Sequence, residues 1–302
     1  TLTIPDQQKR VEGIAKISEE LWIDEKVIIQ IITNLCAGRH ILLAGPIGTG
    51  KSALAKMIPK TFWNYDTELV TATYEWGASD VVGGYKPSLT DGKNFEMQDG
   101  CVTRTVKESI ELIKQNGNTK GKWLVIDEFN RADIDKAMGQ LFSSLVDGKI
   151  SIGEEQIEIP KDYRIIGTLN TSDKHYLNKL SSALLRRFAY IEVNYPMNQN
   201  PQIEFSYAIN NAKNSFSEKL QEEIKNKLFT IDKSRKIDFK NQKIMPVFKY
   251  VYNIFQFVRS EKKLGTAVLI AISGLIMIWL TGFRIKYFLY SFFVLICLIP
   301  VG

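Results

Sequence analysis

Between residues 9 and 37 the apolar positions recur at helical spacing. Val11, Ile14, Ile17 and Leu21 form one stripe, and Val27, Ile28, Ile31, Ile32 and Leu35 another, so two helices are predicted ahead of any strand. The pattern then changes to short apolar runs. Ile41 to Ala44 reads as a buried strand that ends at a glycine-rich turn, and Lys51 to Met57 reads as a helix. Residues 69–106 are irregular and strand-rich, broken by Gly83-Gly84, Asp91-Gly92 and Asp99-Gly100, which predicts a loop insertion. A helix is expected at about 104–115, then a strand from Trp123 to Ile126 that runs directly into two acids. Asp133 to Val146 has helical spacing, Lys149 to Ile159 alternates about Gly153 as a hairpin, and Tyr163–Thr168 and Ala189–Val193 are two further strands.

Strands alternating with helical stretches predict an α/β fold, a parallel sheet covered by helices on both faces. Pro196 and Pro201 mark a boundary, followed by a helical, lysine-rich stretch to about 263. We therefore expect N-terminal helices over 1–37, an α/β core over 38–196 and a helical region over 197–302. No internal repeat or low-complexity tract interrupts this order.

Two stretches carry chemistry. Gly45-Pro46-Ile47-Gly48-Thr49-Gly50-Lys51-Ser52 fits G-x-x-x-x-G-K-[ST] at every fixed position, between a predicted strand and a predicted helix. A triphosphate carries several negative charges, and holding them takes many donors with no side chain in the way; glycines expose backbone N–H groups at a helix N-terminus. Lys51 would reach the β and γ phosphates and the Ser52 hydroxyl would ligate magnesium. The second stretch is Leu124-Val125-Ile126-Asp127-Glu128. Asp127 at a strand end would hold the magnesium through water, and Glu128 would polarise an attacking water. The implied cofactors are a purine triphosphate, with ATP the first choice and GTP the alternative, and Mg2+.

GPIGTGKS, WLVIDEFNRADIDKAMGQLFSSLVDGKI, RIIGTLNTSDK and LSSALLRRFAYIEV occur in that order. Together they resemble the AAA+ ATPases of the dynein-related, MoxR-like and McrB-like group, over roughly Leu35 to Val193. The resemblance implies a RecA-like P-loop αβα sandwich followed by a helical lid, and a ring, usually hexameric, with nucleotide between subunits. It implies that Asn170 is the sensor 1 asparagine, and that Arg186 or Arg187 reaches the γ-phosphate of a neighbouring copy. A rigid, always-charged guanidinium suits charge growing on phosphoryl oxygens. Asn130 and Arg131 also match the group. Asp173-Lys174 departs from the Asp-Arg of the McrB-like pattern, and Ala267 and Val268 stand where a sensor 2 arginine often lies. The 77–106 loop and the 149–159 hairpin resemble insertions that face a pore or partner, where Trp76, Tyr85, Lys86 and Phe95 either grip a polypeptide or nucleic acid or pin their own loops.

Composition narrows this reading. In 302 residues, 45% are hydrophobic and 24% charged, an ordinary globular balance that excludes a disordered, collagen-like or disulfide-scaffold chain. Cys36, Cys101 and Cys297 have no CxxC spacing, and with two histidines they assemble no zinc site; a reduced, intracellular, cytoplasmic protein is expected. The chain opens at Thr1 without a secretory signal, which leaves open whether its native start lies upstream. Residues 1–199 carry 24 basic and 26 acidic side chains, and residues 200–263 carry 13 and 7. The basic cluster Lys225, Lys227, Lys233, Arg235, Lys236 and Lys240 is either an anion-attracting patch or a solvated helix face.

The tail from 264 to 302 is ambiguous. Leu264 to Phe283 is twenty residues without a charge, enough to cross a bilayer of about 30 Å. Equally, Lys263-Leu264-Gly265-Thr266-Ala267 resembles the start of a lid helix with Thr266 as N-cap, and Gly265, Ser273-Gly274 and Thr281-Gly282 suit close helix packing. Membrane association through 264–302 is the alternative to a lid. Three functions follow: an ATP-hydrolysing ring subunit that remodels a protein or nucleic acid, a slow nucleotide-gated scaffold, and a GTP-dependent McrB-like restriction motor. Neither the NKxD element of a GTPase nor the LSGGQ of a transporter ATPase is present.

Overall fold

The computed structural model describes residues 2–87, 95–171, 182–195, 201–232, 237–262 and 265–281. It divides into two compact units, one of Thr1–Gly45 with Lys51–Val193 and one of Pro46–Gly50 with Asn194–Gly302.

The first unit opens with helices α1 (Gln7–Leu21) and α2 (Glu25–Cys36), each begun by an aspartate. Asp6 accepts from the Lys9 N–H and Asp24 from the Lys26 N–H, meeting backbone donors that a helix start leaves orphaned. Then come β1 (His40–Gly45), α3 (Lys51–Trp63), β2 (Asp66–Thr71), the short α4 (Ala78–Val81) and the antiparallel hairpin β3 (Gly83–Pro87) and β4 (Phe95–Asp99). They are followed by α5 (Cys101–Gln115), β5 (Lys122–Asp127), α6 (Ile134–Asp147), the hairpin β6 (Lys149–Ile152) and β7 (Glu155–Glu158), β8 (Ile165–Asn170), α7 (Ser182–Arg187) and β9 (Phe188–Glu192).

Five strands form one parallel sheet in the order β2-β5-β8-β1-β9. Alternation along each strand divides its side chains between two cores. Leu42, Ala44, Leu124, Ile126, Ile165 and Leu169 face α5 and α6, while Ile41, Leu43, Trp123, Val125 and Ile166 face α1, α2 and α3. In β1, β5 and β8 both faces are buried, which is why these strands read as apolar runs. Each such side chain, fully buried, contributes about 1.5–3 kcal/mol. The fold is therefore the expected α/β sandwich of RecA-like P-loop type. Of the first predicted stripe, Ile14 and Ile17 are buried, but Val11 is 61% exposed.

His40 sits at the start of β1 and is buried. Its Nδ1 accepts the Ile165 N–H at 3.0 Å, and its ring lies 5.1 Å from that of Phe188. Burial first, and Arg164 nearby second, lower its pKa to about 3.

In the second unit, α8 (Pro201–Asn214), α9 (Glu218–Lys227), α10 (Ile244–Lys262) and α11 (Thr266–Leu280) surround a core that includes Ile209, Ile224, Phe248, Phe255, Leu269 and Met277. The sequence reading of 200–263 as helical misses the antiparallel pair β10 (Phe229–Ile231) and β11 (Ile237–Phe239), whose three-residue strands are too short to show periodicity. Lys225 and Lys227 pair with Glu222 and Glu223 along α9, while Lys233, Arg235 and Lys236 lie outside the described residues.

At the centre of this unit the Arg259 guanidinium holds Glu204 at 2.7 and 2.9 Å, and lies 4.3 and 4.6 Å from the rings of Phe255 and Tyr195. Thr266 is not the N-cap; Gly265 is. The Thr266 hydroxyl is instead spent on Glu204, donating to Oε1 at 2.6 Å. The Gly265 N–H donates to the Ile47 carbonyl at 2.9 Å and the Ala267 N–H to that of Gly48 at 3.1 Å. Helix α11 has 15 residues, and no helix among the described residues is long and apolar enough to cross a membrane. The predicted small-residue packing is used here, Gly274 facing Ala212 and Phe216. Residues 282–302 lie outside the described residues.

Two outcomes follow. The folded chain keeps His40 neutral down to pH about 3, whereas the unfolded chain takes up its proton near pH 6.5. Acidification through that window destabilises the fold by up to roughly 1.4 kcal/mol per pH unit from this residue. Urea denaturation at stepped pH is expected to show His40→Gln losing about one proton of that dependence. In Gly265→Ala the new Cβ would fall 2.2 Å from Gly48 C and 2.5 Å from Thr49 N. That variant is expected to lose about 1–3 kcal/mol, read as a lowered thermal midpoint.

Candidate nucleotide site

The residues predicted to carry chemistry gather where the strands end. β1 ends at Gly45 and α3 begins at Lys51. In the loop between them Gly48 and Gly50 take φ of +79° and +82°, values that other residues adopt only at a cost, so the backbone turns there with no Cβ over its N–H groups. The Thr49 hydroxyl donates to the Pro46 carbonyl at 3.0 Å and holds the turn.

Lys51 points its ammonium back to the Gly45 carbonyl, Nζ donating at 2.9 Å. Burial pushes its pKa down to about 8, against the opposing pull of Asp127 and Glu128. A cation held at that cost is relieved when an anion arrives.

Ser52, one residue on, donates its hydroxyl to Asp127 Oδ1 at 2.7 Å. Asp127 closes β5, and Glu128 follows in the left-handed conformation with φ 52° and ψ 42°. Its N–H donates to Thr168 Oγ1 at 3.0 Å, its carbonyl accepts from the Arg131 N–H at 2.8 Å, and its carboxylate pairs with Arg131 Nε at 2.9 Å. Asn170 ends β8 opposite Gly45 in the register, and its N–H donates to the buried Asn130 Oδ1 at 3.3 Å.

Lys51, Ser52, Asp127, Glu128 and Asn170 thus stand together at the C-terminal ends of β1, β5 and β8, where ligands bind in open parallel sheets. The donor set suits a magnesium nucleotide: a hydroxyl and a carboxylate are hard oxygen ligands, and Mg2+ is usually held by one or two carboxylates with phosphates supplying the rest. Among the described residues no group of three His, Cys, Asp or Glu could hold a metal ion by itself.

The two arginines part company. Arg187 turns inward, donating Nη1 to the Ala183 carbonyl at 2.8 Å and lying 5.5 Å from the centre of the Phe142 ring. Arg186 is exposed. Asp173 and Lys174 lie outside the described residues. In the insertions, Trp76 packs on the core as a pin, and Lys86 pairs with Asp80 at 2.8 Å. Tyr85 and Phe95 are each 68% exposed on the β3–β4 hairpin.

Sequence reading missed Thr168, which touches both acids. Its only signal is a row on one side of β8, Ile166, Thr168 and Asn170, that turns from apolar to polar toward the strand's end.

Residues 40–188 match the AAA domain of the dynein-related subfamily. The Type IV methyl-directed restriction enzyme EcoKMcrB subunit of Escherichia coli (strain K12) is 27% identical over 216 residues, taking in 67% of this chain and 45% of that protein. The gas vesicle ATPase GvpN of Haloferax mediterranei is 26% identical over 199 residues, 59% of this chain and 54% of GvpN. The uncharacterized protein YehL of Escherichia coli (strain K12) is 27% identical over 180 residues, with 58% and 46% covered. The chain spans about half the length of these relatives. The domain match runs from the first residue of β1 to the first of β9 and takes in every side chain of the site, and residues 40–188 form an AAA domain of the dynein-related subfamily.

Proposed function

We propose that this chain binds Mg-ATP and hydrolyses its terminal phosphoanhydride, as one subunit of a homo-oligomeric, hexameric ring that remodels a protein or nucleic-acid partner. The observation that carries the reading is the Ser52–Asp127 hydrogen bond at 2.7 Å, with Glu128 next in the chain. It brings a hydroxyl and a carboxylate to one point beside the candidate base. Bound magnesium would neutralise phosphate charge. Ser52 and Asp127 would hold it, Gly45, Pro46, Ile47, Gly48, Thr49 and Gly50 would present backbone to the phosphates, and Lys51 would pair with them.

In this reading Glu128 accepts a proton from the attacking water and Asn170 orients that water. Arg186, exposed at the end of α7, is the arginine that reaches a neighbouring copy, whereas Arg187 packs within its own domain. The ATP preference draws support from GvpN, named an ATPase. The similarity to the McrB subunit supports a GTP-dependent restriction motor as a second reading, and competition between ATP and GTP for the site decides between them.

Phosphate release and binding of a fluorescent ATP analogue test the assignment. Glu128→Gln is expected to bind the analogue as the wild type does and to lose turnover by about 100-fold or more; full turnover would remove Glu128 as the base. Arg186→Ala is expected to lower turnover by about a thousandfold in an assembled ring while leaving the subunit's melting unchanged. Arg187→Ala is expected to destabilise the domain by about 1 kcal/mol through loss of its contacts with Ala183 and Phe142. Equal effects of the two substitutions on turnover and melting would overturn the distinction.

A further inference from the structure

We propose that Thr168 is a positioning residue that locks the metal-holding carboxylate of Asp127 and the backbone of the candidate base Glu128 into one unit through a single hydroxyl. The inference rests on the reading of Asp127 and Glu128 given above.

Thr168 lies on β8, which the sheet order places between β5, the strand of the two acids, and β1, the strand that leads to Ser52. It is 2% exposed. Its Oγ1 donates to Asp127 Oδ1 at 2.5 Å and accepts the Glu128 N–H at 3.0 Å. The directions of these bonds are forced. An ionised carboxylate only accepts, so both hydroxyls that meet Asp127 Oδ1, those of Thr168 and Ser52, must donate to it. With its one proton committed, Thr168 turns its lone pairs outward, and one of them receives the Glu128 amide.

The consequence is a clamp on one peptide. Asp127 is held by its side chain and Glu128 by its N–H, from the same oxygen. Glu128 sits at φ 52°, a left-handed conformation that is costly for a non-glycine residue and persists only when neighbours over-determine it. The Thr168 acceptor and the Arg131 N–H that donates to the Glu128 carbonyl are the partners that over-determine it. Were Ser52 to give up its bond to Asp127 for a cation, Thr168 would still donate to the carboxylate and keep it oriented. Valine has nearly the same shape as threonine but supplies neither donor nor acceptor, and would leave the Glu128 N–H without its partner.

The test uses the full chain and its assembled form, with a fluorescent ATP analogue and titrated Mg2+. In Thr168→Val the Mg2+ concentration for half-maximal analogue binding is expected to rise, and kcat to fall, each by about 10- to 100-fold as for lost outer-shell partners of metal ligands. Analogue binding in excess EDTA is expected to stay at the wild-type level, because the phosphate loop is untouched. Thr168→Ser keeps the hydroxyl and is expected to restore both quantities to within about threefold. Wild-type Mg2+ dependence and kcat in a folded Thr168→Val would overturn the proposal. So would a Thr168→Ser as impaired as the valine variant, which would make the methyl group the working part. Should the valine variant not fold, the serine variant decides: near-wild-type Mg2+ dependence upholds the hydroxyl's role, and impaired dependence overturns it. A wild-type protein without Mg2+-dependent nucleotide binding would overturn the underlying reading instead.

Discussion

The bond between Ser52 and Asp127 joins two parts of the chain that the sheet keeps apart. Asp127 ends β5, Ser52 follows β1, and β8 lies between those strands. The bond forms only when all three strands are paired in that order and in register, so the candidate site exists only in the folded sheet. Its strength is that of a charge-assisted hydrogen bond, small beside the burial of both faces of the sheet. The energy flows from core to site: two apolar layers hold the strand ends, and the strand ends hold the polar groups.

That arrangement explains where cost is tolerated. Lys51 keeps an ammonium in a partly buried position with its pKa lowered to about 8, and Glu128 keeps a backbone conformation that suits glycine better. Neither helps the fold. Both are sustained because β1, β5 and β8 are buried on two faces and cannot easily relax, the usual relation between a rigid scaffold and a strained functional site. The second unit organises polar groups in its own way, with Glu204 buried against Arg259 and Thr266. Breaking one partner of such a pair costs more than the pair itself contributes. That cluster ties α8, α10 and α11 together through one buried carboxylate.

Much of the fold was legible in the chain because its signals are local. Apolar runs bounded by glycine or acid located β1 and β5 to within a residue or so, and helical spacing of apolar positions located α1, α2 and α6. The alternation about Gly153 found the β6–β7 hairpin. Locality also set the errors. Three-residue strands such as β10 and β11 carry no period, and Thr266 has the composition of a cap although tertiary packing gives its hydroxyl to a carboxylate 62 positions away in the chain.

The amino-acid order by itself determined the phosphate-loop glycines, Lys51 and Ser52, the acid pair Asp127 and Glu128, and the alternation of strand and helix, since each depends on neighbours within a few residues. Tertiary structure alone decided that β8 enters between β5 and β1, that Thr168 therefore meets both acids, and that Arg187 turns in toward Phe142 while Arg186 remains exposed. Strand order is a property of long-range pairing, and the direction of a long side chain depends on what packs beside it. Neither leaves a mark in local periodicity.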